Sequence, residues 1–244
     1  MKNPAWNIAS YCYLGVSLLG LGLVAILTYE GPVAAVTSPL QKQLTGSIFG
    51  AICLLGILAG LSPSRCSRIL HFRKPPSKSS GETEQINKED SRLALRGHHP
   101  SCGTFSSHVL RLGRKIYCAG CLGLVTGAFA AIVGDFLYFF AGLDTRGATT
   151  IIFWLGFAGV ACGLLQYNVV TDRSDVHFVL NATFVLGAFF LLVGVNEASG
   201  SLILNLYLLT LIIFWIITRI ALSQAEHRKM CSGCNLKPCS LSFD

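Results

Sequence analysis

Charge is what this chain has least of. Asp, Glu, Lys and Arg make up 13% of its 244 residues, against about 25% in soluble domains. A chain this long could bury a core, but it has too few charges to cover a soluble surface. Catalytic signatures are missing as well. The sequence has no Ser-His-Asp order, no P-loop, no glycine-rich nucleotide fingerprint after a strand and no HExxH, so the common hydrolase and nucleotide-binding classes have no support. No small-residue cleavage site follows the first apolar run, which reads as a retained anchor. No internal repeat is evident.

Apolar residues are abundant, at 52%, and they come in long blocks. Spans are expected at about 8–27, 44–61, 119–140, 148–165, 178–195 and 202–220. Each is close to the ~20 residues that cross ~30 Å of hydrocarbon. Backbone groups in lipid must pair within their own segment, so helices are the natural form. The expected fold is an all-α, polytopic membrane bundle of six transmembrane helices with a small zinc-ribbon-like insert. Its parts are two helices over 1–61, a polar linker over 62–97, a His/Cys insert over 98–121, four helices over 122–222 and a Cys-rich tail over 223–244.

Six spans put both termini on one side. That side, counting the 62–117 loop and the end of the last helix, carries 17 of the 19 Lys and Arg residues; only Lys42 and Arg146 fall on the other. The positive-inside rule makes the basic side cytoplasmic and the setting a cell membrane. The net charge of +7 would suggest nucleic acid in a soluble protein. Concentrated in a few loops, it suggests orientation in the bilayer, and contact between the basic loop and anionic lipid or a cytosolic protein. No nucleic acid is expected.

The strongest chemical pattern is His99-x2-Cys102-x15-Cys118-x2-Cys121. Each short pair can wrap one edge of a tetrahedral ion, and the long gap accommodates a hairpin that joins the pairs. Residues 105–112 and 115–117 are the two expected strands, with Gly113-Arg114 as the turn. His98 is the alternative to His99. A reducing cytoplasm disfavours a disulfide, and the start of a helix at Cys118 and Cys121 favours thiolate. Zinc is the expected metal. His108 reads as packing, or as support for that site. A second set, His227, Cys231, Cys234 and Cys239, lies in the tail. It could bind zinc as well, or an iron–sulfur cluster, which prefers thiolates.

Cys12, Cys53 and Cys162 fall in apolar blocks and read as packing residues. Cys66 is a lone loop cysteine. Asp135 is the one acid within a span, expected toward the helix end where it reaches the interface or carries a proton. Arg219 is expected to snorkel to the interface. Glycine pairs at 46/50, 56/60, 123/127 and 159/163 point to close helix packing, and offer faces for a homo-oligomer.

The element Cys118-Ala-Gly-Cys121-Leu-Gly123, preceded by His and Cys, resembles a family of small prokaryotic multi-pass membrane proteins. These carry a histidine and a C-x-R-C-x-G element at the head of a helix. The resemblance covers about residues 98–134, with Gly120 where the family has Arg. It implies the membrane class and no activity.

Three function classes follow. The first is a membrane protein of unassigned activity, more an anchor than an enzyme, whose cytoplasmic zinc site is a structural or docking element. The second is a small-solute or metal-ion transporter using Asp135, with Asn181 and Asn205 as further polar groups. The third is a membrane thiol oxidoreductase using Cys118 and Cys121, which has no thioredoxin-like βαβ pattern behind it.

Overall fold

Apolar runs of this length can bury their backbone polar groups only as helices, and helices are what form. A computed structural model describes residues 4–30, 38–61, 109–112, 115–166 and 173–232. The helices are α1 (Pro4–Glu30), α2 (Pro39–Leu61), α3 (Ala119–Asp135), α4 (Thr149–Leu165), α5 (Ser174–Ser199) and α6 (Leu202–Ser232). A π-helical turn, Phe136–Phe140, extends α3, and a short 3₁₀ turn, Arg146–Ala148, leads into α4. Six helical segments are long and apolar enough to cross a membrane. Large apolar side chains such as Leu19, Leu55, Phe129, Ile151, Val179 and Ile203 are exposed on every outer helix face. Such a surface suits lipid rather than water, and the chain has the form of a multi-pass membrane protein.

Helix α5 is central. It packs along α3 and α4 and also meets α1 and α6. The approach is close because glycines face it. A Cβ at Gly127 of α3 would lie 2.7 Å from the Ala182 carbonyl oxygen. One at Gly187 of α5 would lie 2.8 Å from the Val160 nitrogen. Backbones at that spacing gain dispersion contacts that larger residues would prevent. Helix α2 lies against α3, with Gly46 under Phe139 and Gly60 under Val125. The glycine pairs of the sequence thus pack mostly inside one chain; of those eight glycines only Gly56 meets open space. Helix α1 is stitched to α6 by Ser17 Oγ and Thr218 Oγ1 at 3.0 Å, and by Trp215 Nε1 donating to the Ser17 carbonyl at 3.2 Å.

Helix ends follow local chemistry. Ser38 and Gln41 form a capping box on α2: the Gln41 N–H donates to Ser38 Oγ, and the Ser38 N–H donates to Gln41 Oε1. Gly200, at φ 61°, closes α5 with its N–H on the Asn196 carbonyl. A left-handed residue there suits glycine.

The described part of the insert starts with an antiparallel pair, β1 (Val109–Leu112) and β2 (Lys115–Cys118), in the register Val109↔Cys118 and Leu112↔Lys115. The expected turn, Gly113-Arg114, joins them and lies outside the described residues. This hairpin runs directly into α3 and packs against α5. A zinc ribbon is not shown: His98, His99 and Cys102 lie outside the described residues.

Several boundaries moved. Helix α6 continues to Ser232, well past the expected end near 220, because Gln224 to Lys229 are good helix formers. The start of the expected polar tail is therefore helical. Of the three cysteines expected to pack, Cys53 is buried, while Cys12 and Cys162 face outward from the bundle.

Candidate functional site

The candidate ligands divide by placement. Cys118 ends β2 and is the N-cap of α3, with φ −71° and ψ 121°. Cys121 is the third residue of that helix, so the pair spans its first turn. Both are partly buried. The first-turn N–H groups have no partner within the helix, and together with the helix dipole they favour negative charge on these sulfurs. In the second set, the backbone of His227 and Cys231 lies on α6, four residues apart, and Cys234 and Cys239 lie outside the described residues. Among the described residues, no three His, Cys, Asp or Glu side chains come together as a metal group.

Directly beneath the Cys118/Cys121 turn is an arginine that the sequence reading misplaced. Arg219 does not snorkel. It is 5% exposed and inserts between α4 and α5. Its Nη1 donates to the Gly163 carbonyl at 2.9 Å and its Nη2 to Asn181 Oδ1 at 2.5 Å. The guanidinium carbon lies 4.5 Å from the Phe184 ring centre, a cation–π contact. Asn181 in turn donates to the His177 carbonyl at 2.5 Å. The same Asn181 faces Gly120 and Gly123 at the head of α3. One buried polar group therefore links α6, α4 and α5 beside the cysteine turn.

The opposite end holds a second network, which sequence reasoning missed. Asn205 Nδ2 donates to Asn196 Oδ1 at 2.8 Å, Asn196 Nδ2 to Tyr138 Oη at 2.8 Å, and Tyr138 Oη to Glu197 Oε1 at 2.6 Å. Lys42 Nζ lies 3.6 Å from Glu197 Oε1 and 3.7 Å from the Tyr138 ring centre. Arg146 Nε is 4.0 Å from Glu197 Oε2. Among the described residues, the two basic side chains of this end thus both turn toward one carboxylate. Hydrogen bonds aligned in one direction polarise each other, and partial burial lowers screening. A signal was available: Lys42 and Arg146 are the sole cations assigned to that side, and Glu197 stands beside Asn196 at a span end.

Asp135 does not reach an interface. It is 4% exposed, and its Oδ1 is sealed with no hydrogen-bond partner. Nor do the three polar groups offered for transport converge. Asn181 sits with Arg219, Asn205 with Asn196 at the far end, and Asp135 between these layers, one helical turn inward from Tyr138.

Comparison with family models, curated proteins and solved structures returned no match.

Proposed function

We propose that this is a non-enzymatic cell-membrane protein whose terminal end is cytoplasmic and carries a zinc site that organises a docking face. His99 (or His98), Cys102, Cys118 and Cys121 would hold the metal. The observation that carries the reading is the junction at Cys118: an antiparallel hairpin ends on one cysteine, and the first turn of α3 presents the next. Such a junction places one short-spaced pair on rigid backbone. The 15-residue gap contains the hairpin, whose return sets Cys118 opposite Val109.

The role follows from position. The metal would staple the basic 62–117 loop to the end of the bundle, and the Arg219–Asn181 group would brace the helices beneath. A loop so anchored offers its Lys and Arg residues to anionic lipid or an acidic cytosolic partner. The tail set of His227, Cys231, Cys234 and Cys239 is a second metal candidate on the same side, for zinc or an iron–sulfur cluster.

Metal analysis tests this. Protein with Cys231, Cys234 and Cys239 all replaced by Ser, purified without chelator, should hold about one zinc with S3N ligation and Zn–S near ~2.3 Å. Adding Cys121→Ser should remove the metal and increase proteolysis between Leu93 and Tyr117. A well-folded protein that lacks metal, with proteolysis unchanged by Cys121→Ser, would end the proposal.

A further inference from the structure

We propose that Asp135 is a proton-binding site inside the bundle, exchanging with water at the end away from the termini through the layer of Lys42, Tyr138 and Glu197. Three observations meet at this residue. The side chain is 4% exposed, and Oδ1 has no hydrogen-bond donor. Facing it on α2 is Gly50, where even a Cβ would lie 3.3 Å from Oδ2. Gly50 itself supplies neither a side-chain donor nor a cation. And α3 changes to a π-helical turn immediately after Asp135, with the Ala141 N–H bonded to the Phe136 carbonyl at 3.0 Å. Such turns are rare and concentrate at functional sites.

An ionised carboxylate with one oxygen sealed from water and without a donor is costly, and an intramembrane acid of this kind is a functional candidate by default. The neutral acid removes that cost. A metal ion is a poor occupant, because no group of three ligating side chains forms among the described residues. The proton is the ligand that needs no others. From α2, the titratable group one turn along from Gly50 is Cys53, which is buried. From α5, the side chain at this level is Phe189, packed on Gly134. On its own segment, Tyr138 follows one turn outward; it bonds Glu197 and lies under Lys42, and Glu197 in turn meets Lys42 and Arg146.

This layer lies between Asp135 and the outside, with Tyr138 1% exposed. Breaking the Tyr138–Glu197 hydrogen bond admits water. Asp135 then gives its proton to that water and later takes one back from hydronium; no other bond changes.

Infrared difference spectroscopy of the full chain in phosphatidylcholine vesicles tests this. At neutral pH the wild type should show a neutral carboxylic-acid carbonyl band that Asp135→Asn lacks. On transfer to heavy water the band should shift slowly, and several-fold faster in Tyr138→Phe, which removes the donor of the 2.6 Å bond. Loss of no acid band in Asp135→Asn overturns the site. An unchanged exchange rate in Tyr138→Phe overturns the route. Should Asp135→Asn fail to fold, an apolar carbodiimide decides the same question in the wild type, because it reacts with the neutral acid. Its adduct should map to Asp135, with a rate that falls about tenfold per pH unit above the midpoint. No adduct at Asp135 at any pH overturns the proposal.

Discussion

Arg219 of α6 donates to Asn181 of α5 across 2.5 Å, with both side chains buried. A guanidinium brought this far inside needs acceptors in fixed directions. Asn181 supplies one and the Gly163 carbonyl another. The group thus joins three helices at one level, beside the turn that carries Cys118 and Cys121.

Removing one member of this group should destabilise the bundle measurably. A hydrogen bond to a charged group contributes ~1.5–3 kcal/mol, so Asn181→Leu and Arg219→Met should each cost about 2 kcal/mol in unfolding measured in detergent. The double variant should cost less than the two singles together, because both remove the same contact. Arg219→Lys should not restore stability, since an ammonium lacks the planar fork that serves two acceptors. Additive single effects would mean that the pair is not coupled.

Close packing on α5 gives a second, independent expectation. Gly187→Ala places a methyl 2.8 Å from the Val160 nitrogen, and Gly127→Ala one 2.7 Å from the Ala182 carbonyl. In each case the obstacle is backbone and cannot rotate away. Overpacking of this kind costs ~1–3 kcal/mol. Gly56→Ala, facing open space, is the control and should be silent. Equal unfolding midpoints for all three variants in detergent would refute the packing argument.

How much of this was legible beforehand differs by element. Span positions followed from run length, because lipid forces long apolar segments into helices. The hairpin followed from two short strand-forming runs around Gly113. Position along a sequence gives depth but not direction. These helices are apolar on nearly every side, so no periodicity says which face turns inward, and Arg219 was therefore assigned to the interface although it points into the bundle. The glycine pairs marked contact faces without naming the partner, which proved to be α5 for Gly123, Gly127, Gly159 and Gly163. The Tyr138–Glu197 network was hidden because it gathers residues from four helices and a turn, far apart in sequence. Of the first candidate metal set, the helix-start position of Cys118 and Cys121 was legible; His99 and Cys102 lie outside the described residues.

At the end away from the termini, Tyr138→Phe should cost about 1–2 kcal/mol. That figure lies between the modest hydrogen bonds measured within membranes and the larger ones made to charges. Glu197→Leu should cost a similar amount, and the two should not add, since both lose the 2.6 Å bond. Arg146→Ala should have little effect, because Arg146 is largely exposed and 4.0 Å from its acid. Unfolding of the four variants at one salt concentration separates these outcomes. A Tyr138→Phe protein as stable as the wild type would show that the network does not hold the helices.

Orientation is the last expectation, and it rests on charge asymmetry. Seventeen of nineteen Lys and Arg residues lie with the termini and the long loop. The two on the opposite end face Glu197, so that end presents almost no uncompensated positive charge. Retention of basic loops on the cytoplasmic side should therefore put the termini inside the cell. Single cysteines can report this in a background without other reagent-accessible cysteines. Ser38 is a poor reporter, because its hydroxyl caps α2 and its loss would cost about 1 kcal/mol. Gly147 is better placed: it is exposed, and a side chain there meets nothing within 4 Å. An impermeant thiol reagent applied to intact cells should label Gly147→Cys. It should label Ser80→Cys and Ser242→Cys only after permeabilisation. Labelling of Ser80→Cys in intact cells would invert the topology. It would also place the cysteine turn in an oxidising compartment, where a disulfide rather than zinc becomes the expected state of Cys118 and Cys121.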